Sequence, residues 1–301
     1  MAGSLKRLRG VLVPLVTPFD AAEAVDFRAL RSLVRYLVEN GVHGLYPAGT
    51  QGEFFALSQD ERMAVAEAVI EEAGGRVPVI PNVGAVTTRE AIALARHAEG
   101  AGADAISVVT PYFIGPTQEE LYTHFRAVAE SVSLPVLAYN IPPRTGVNLR
   151  PETVARLAAD CPNLVGVKDS SGDLTQTLDY ACLTGPEFRV FVGRDTLIYA
   201  GIASGCVGAV AATANMAPQL VVELYEATAR GDHARGVELQ RQVGLLRSAM
   251  GLGTFPVVAK EALALLERIP DGRARRPVQP LSPAAREELR AALVAVGVLK
   301  P

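Results

Sequence analysis

Leu164-Val165-Gly166-Val167-Lys168-Asp169 runs four apolar residues together and then ends on a lysine and an aspartate. A strand with one wet face alternates apolar and polar residues. A strand buried on both faces of a parallel sheet does not. Seven more continuous runs flank this one, at 11–16, 44–48, 77–83, 105–110, 135–140, 189–193 and 207–212. Helical patterns fill most of the gaps. Phe27, Leu30, Leu33, Val34, Leu37 and Val38 form one apolar stripe at helical spacing, stopped by Asn40-Gly41. Ser58 with Glu61, Thr87 with Glu90 and Thr117 with Glu120 each match a capping box, and Pro151 suits a helix's first position.

Eight buried strands alternating with helices predict a (β/α)8 TIM barrel, since right-handed crossovers close such a series. The competing open, doubly wound sheet lacks its G-x-G-x-x-G after the first run. Beyond Tyr225 the pattern is helical only, over 234–250, 256–268 and 283–298. The expected organisation is a catalytic barrel over residues 1–225, with a helical extension over 226–301 packed on it. The cluster Arg273-Ala274-Arg275-Arg276, in the connection 270–280, reads as a solvated loop.

Composition narrows the function classes. The chain has 301 residues, 49% hydrophobic and 20% charged, with a net charge of −3. That balance offers no basic face for nucleic acid. Cys161, Cys182 and Cys206 are far apart, and the four histidines share no ligand spacing, so neither disulfides nor a metal site is expected. The uncharged stretch 196–222 is long enough to span a membrane, but Gly201, Gly205, Gly208, Asn215 and Pro218 interrupt it. At the N-terminus, Lys6-Arg7-Leu8-Arg9 and the apolar run after it mimic a signal peptide. Pro14, Pro18 and Asp20 break that run, which reads instead as a first strand. The expectation is a soluble, cytoplasmic protein without membrane or nucleic-acid partners.

In such barrels the chemistry sits at the C-terminal ends of the strands. Lysine occurs only at positions 6, 168, 260 and 300, and Lys168 alone ends a strand. Inside an apolar barrel an ammonium loses solvation, its pKa falls, and a neutral amine becomes free to attack a carbonyl. Arginine cannot do this, because it stays protonated. The plainer reading pairs Lys168 with Asp169 at the rim. Tyr139, ending the neighbouring strand, is either a proton carrier or an aromatic filler. Gly49-Thr50-Gln51-Gly52 offers backbone amides and a hydroxyl to a carboxylate. Arg144 is either an anion clamp or a surface residue. Lys260 lies in a helical pattern and reads as structural.

Together, the segments from Val13 to Pro18, Gly49-Thr-Gln-Gly-Glu53, Thr110-Pro-Tyr112, Tyr139-Asn-Ile-Pro-Pro-Arg-Thr-Gly146 and Gly166-Val-Lys-Asp169 resemble the dihydrodipicolinate synthase / N-acetylneuraminate lyase family. The likeness continues through Gly193 and Thr213-Ala-Asn215, over nearly the whole chain. It implies a class I aldolase that needs no cofactor, because Lys168 forms an imine with pyruvate or another 2-oxo acid. Tyr139 then resembles the proton-transferring tyrosine, and Thr50 the clamp on the pyruvate carboxylate. Gly49 and Gln51 belong to the same cradle, Gly193 and Val210 line the pyruvate pocket, and Arg144 matches the arginine that binds an acidic aldehyde. A homotetramer built from two dimers is also implied.

Two positions depart from the synthases: Gln51 stands where they have a second threonine, and Phe113 where a tyrosine reaches the neighbouring subunit. Both departures remove a hydroxyl. With Lys168-Asp-Ser-Ser-Gly172 and Gly193-Arg-Asp-Thr-Leu-Ile198, they place cleavage of a 2-keto-3-deoxy sugar acid or 4-hydroxy-2-oxoglutarate first. 4-Hydroxy-tetrahydrodipicolinate synthesis comes second. A keto-deoxy sugar acid dehydratase, suggested by Gly52-Glu-Phe-Phe55, is third. The reading from another class is an inactive barrel kept for binding or regulation.

Overall fold

In a computed structural model, which describes residues 7–300, seven strands form one parallel sheet. They are β1 (Gly10–Pro14), β2 (Gly44–Tyr46), β3 (Ile106–Val109), β4 (Val136–Asn140), β5 (Leu164–Asp169), β6 (Arg189–Val192) and β7 (Gly208–Val210). Their order is β2-β1-β7-β6-β5-β4-β3. The expected strand over 77–83 is not a regular one. It makes only single bridges, Leu45 with Val79 and Asn82 with Ser107. Pro78 and Pro81 have no N–H to give, so a continuous ladder is impossible there. The segment still closes the ring. The Ile80 N–H donates to the Leu45 carbonyl (2.8 Å) on one side, and the Val83 N–H to the Ser107 carbonyl (2.7 Å) on the other.

The continuous apolar runs divide between two cores, as strands buried on both faces must. On β4, Val136 and Ala138 face the helices, while Leu137 and Tyr139 face the barrel interior. Leu12, Tyr46, Ile80, Val109, Phe191 and Val210 belong to the same inner cluster. Register then fixes the direction of Lys168, because it pairs with Tyr139 on β4 and with Phe191 on β6, both inward-facing. Gly166, two residues earlier, has the same parity. A Cβ there would meet the Arg189 carbonyl and approach Leu137 Cδ2 to 2.8 Å, so only glycine lets β5 pack.

The predicted caps form where the sequence put them. Ser58 and Thr117 make complete capping boxes, whereas Thr87 makes only the half in which its hydroxyl accepts from the Glu90 N–H. C-terminal helices are present at His233–Ala249, Val257–Leu265 and Pro283–Ala295. One expectation holds only in part. Arg276 stays exposed, but Arg275 is drawn inward and binds Glu61, the Glu23 and Ala56 carbonyls and the face of Phe19. Its acidic partners lie over two hundred residues earlier, beyond the reach of local pattern. Among the described residues no helix is long and apolar enough to cross a membrane. Lys6, part of the N-terminal basic stretch, lies outside the described residues.

Candidate active site

A cavity of 340 Å³ opens at the C-terminal end of the strands. Lys168, Tyr139, Thr50, Gln51, Arg144, Gly193 and Val210 all line it. Gly49 does not. It lies against Tyr46, whose ring a Cβ would approach to 2.8 Å, so Gly49 shapes the loop rather than the wall. The other strand-end groups turn to structural work. Thr17 donates to the Gly52 carbonyl (2.7 Å), Asn82 to the Ala48 carbonyl (3.0 Å), and Thr213 to Asp195 Oδ1 (3.0 Å).

Lys168 is 3% exposed, and its Nζ stands 3.7 Å from the Tyr139 ring centroid and 4.4 Å from that of Tyr46. Asp169, its neighbour in sequence, is occupied elsewhere. Its oxygens accept from Asn140 Nδ2 (2.9 Å) and from the Ser171 and Thr177 hydroxyls (2.6 Å each). Burial therefore brings the Lys168 pKa down to about 7, against a smaller opposing pull from Asp195. Near neutral pH a large share of the side chain is an uncharged amine with its lone pair free. The rate at which pyruvate is trapped by cyanoborohydride should thus rise as pH passes through about 7 and flatten above it. A midpoint near the ordinary lysine value would contradict this account of the amine.

Tyr139 Oη lies 3.0 Å from Thr50 Oγ1, across 89 residues of sequence. Burial raises the phenol pKa to about 12, although hydrogen bonds from Thr50 and Ser170 and the charge of Arg144 pull the other way. At neutral pH Tyr139 is therefore protonated and begins as a donor. Thr50 sits in a tight loop with Ala48 (φ 51°) and Glu53 (φ 57°) both in left-handed conformation. Two such non-glycine residues flanking one hydroxyl mark a loop whose shape is imposed by its surroundings. Gly193 is required at the far wall, since a Cβ there would strike the Ser170 side chain and come to 2.8 Å from the Asp169 carbonyl.

Several wall residues were not singled out from the sequence. Asp195 is buried, and desolvation raises its pKa despite its bonds from Thr213. Arg247 Nε lies 3.8 Å from Asp195 Oδ2 and brings the helix His233–Ala249 into the site. Met250, Gly251, Gly253 and Phe255 follow it on the wall, and the Arg144 guanidinium sits 4.9 Å from the Phe255 ring centroid. The position of Asp195, just past the end of β6, was the one available signal. Arg247 had none, because a helix pattern shows which face packs but not which loop it covers.

A closed parallel barrel with a cavity at its strand ends, lined by a buried lysine, has the layout of a barrel enzyme's active site. The comparisons agree. The model of the dihydrodipicolinate synthetase family matches residues 7–296. A 4-hydroxy-tetrahydrodipicolinate synthase of Chelativorans sp. (strain BNC1) is 43% identical over 291 residues, covering 97% of this chain and 99% of its own. The dihydrodipicolinate synthase of Aquifex aeolicus superposes with a TM-score of 0.94 at 34% identity, over 98% of this chain and 100% of that one. A prophage protein of the family from E. coli K12, solved in complex with pyruvate, gives 0.94 at 33%, over 97% and 99%. The chain belongs to the dihydrodipicolinate synthase family of class I pyruvate lyases.

Proposed function

We propose that the protein condenses pyruvate with a carboxylate-bearing aldehyde, as a 4-hydroxy-tetrahydrodipicolinate synthase does with aspartate semialdehyde. The observation that carries the pyruvate half is the buried Lys168 amine packed against Tyr139, with the Thr50 hydroxyl on the phenol. Neutral Lys168 attacks the pyruvate ketone. Tyr139 gives its proton to the departing hydroxyl, water leaves, and an iminium remains. The iminium draws electrons from the methyl group, so the Tyr139 phenolate takes a methyl proton and an enamine forms. The enamine carbon then attacks the aldehyde, whose oxygen takes that proton from Tyr139. Hydrolysis of the new iminium frees the product and restores the amine. No electron carrier or metal is required by this sequence.

The names of the relatives support the synthase, which the sequence placed second, over the sugar-acid or hydroxy-oxoglutarate cleavage it placed first. The replaced hydroxyls keep the cleavage reading in view. Gln51 lines the cavity, and Phe113 is 98% exposed in this chain with φ of 73°. Beside it Ile114 is half exposed, and an apolar tip of this kind supports assembly into the expected homotetramer. Three free cysteines support a reducing, cytoplasmic setting.

A panel of aldehydes offered with pyruvate separates the readings. Aspartate semialdehyde should give the highest kcat/KM, and a clear preference for glyceraldehyde or glyoxylate would favour the first-placed cleavage instead. In the same assay Arg144→Ala should raise the KM for the acidic aldehyde by roughly tenfold or more, the cost of one charge-assisted bond. An unchanged KM would show that Arg144 does not bind the aldehyde.

A further inference from the structure

The loop that carries Thr50 is held from beneath by an ion pair buried away from the cavity. Lys260 Nζ donates to Glu53 Oε1 at 2.7 Å, with the two side chains 0% and 1% exposed. Glu53 Oε2 accepts the Arg275 N–H at 3.1 Å, so both carboxylate oxygens are engaged. Phe19 closes the site, its ring centroid 4.1 Å from the Lys260 ammonium. Glu53 is also one of the two left-handed residues of the loop, and its N–H bonds the Thr50 carbonyl at 3.1 Å. A single tight turn thus separates the ion pair from the hydroxyl that meets Tyr139.

We propose that Lys260 and Glu53 are positioning residues for the pyruvate half-reaction, clamping the loop 50–53 to the helix Val257–Leu265 so that the Thr50 hydroxyl stays on the Tyr139 phenol. A left-handed glutamate relaxes if nothing holds it, and the anchor comes from a helix 207 residues away in sequence. A charge pair this deep is weak evidence of a stability role, because well-packed neutral side chains commonly hold a fold as well. A shift of Thr50 by an ångström would break a bond that begins at 3.0 Å. The inference rests on the reading that Thr50 and Tyr139 act on a pyruvate imine at Lys168.

Exchange of the pyruvate methyl protons in D2O, followed by NMR, reports enamine formation without any aldehyde. Lys260→Met alone leaves a buried carboxylate without its cation and destabilises the chain. The informative protein is therefore the neutral double variant Lys260→Met with Glu53→Gln, measured at saturating pyruvate beside its melting temperature. The proposal expects a melting temperature close to that of the wild type and an exchange rate lower by roughly 10- to 100-fold, the scale of a small misplacement. A folded double variant that exchanges at the wild-type rate overturns it. If that variant does not fold, Glu53→Asp, which keeps both charges but shortens the arm between the loop and Lys260 by one methylene, carries the test with the same two outcomes. A wild-type protein that forms no pyruvate adduct would instead sink the imine reading itself, and the two failures are distinguishable.

Discussion

Lys168→Arg should abolish pyruvate turnover, lowering kcat by roughly 10⁴-fold or more, the scale seen when a covalent nucleophile is removed. The guanidinium keeps a positive charge in the barrel but has no lone pair to give, because it does not deprotonate. Steady-state kinetics with the preferred aldehyde measures the loss, and turnover within an order of magnitude of the wild type would remove Lys168 from the chemistry. Lys168→Met should be equally inactive yet melt at a higher temperature. It replaces an amine that is 3% exposed and stripped of solvent by an apolar chain of similar length. At this size each kcal/mol gained is worth roughly 1.5–2 °C. The site and the fold thus make opposite demands at this position.

Tyr139→Phe should lower kcat by about 10²- to 10⁴-fold, the usual range for a positioned proton donor. The change is narrow. The ring stays, with its edge-on contact to Tyr46 (centroids 6.1 Å apart) and its packing on Lys168. What goes is the hydroxyl that bonds Thr50. Pyruvate should still be captured, more slowly, and its KM should move less than its kcat, because Thr50 loses its phenol partner but keeps its place on the cradle loop. A kcat within roughly threefold of the wild type would show that another group moves the protons.

Much of this barrel could be read from one feature, the uninterrupted apolar run. It appears wherever a strand is buried on both faces, so β1, β4 and β5 fall inside the runs or within a residue of them. The same feature misled at 77–83, where proline keeps the apolar character but removes the donors that a ladder needs. Lys168, Tyr139 and Thr50 were legible because each is a polar residue at or just past the end of such a run. Arg247 was not, nor was the pairing of Glu53 with Lys260, since these depend on which loop a distant helix covers. Lys260 was read as structural from its helix pattern alone. The pattern could not show that its partner shares a turn with Thr50. The arginine cluster shows the same limit, because nothing local distinguishes a solvated Arg275 from one that binds Glu61.

The central claim is the imine at Lys168, and chemical trapping tests it without knowledge of the aldehyde. Wild-type protein is incubated with saturating pyruvate, reduced with borohydride, digested and mapped by mass spectrometry. The account predicts one reduced pyruvate on the peptide that carries Lys168 and none on the peptide that carries Lys260, whose ammonium is locked to Glu53. An adduct on Lys260, or no adduct at all, would contradict it.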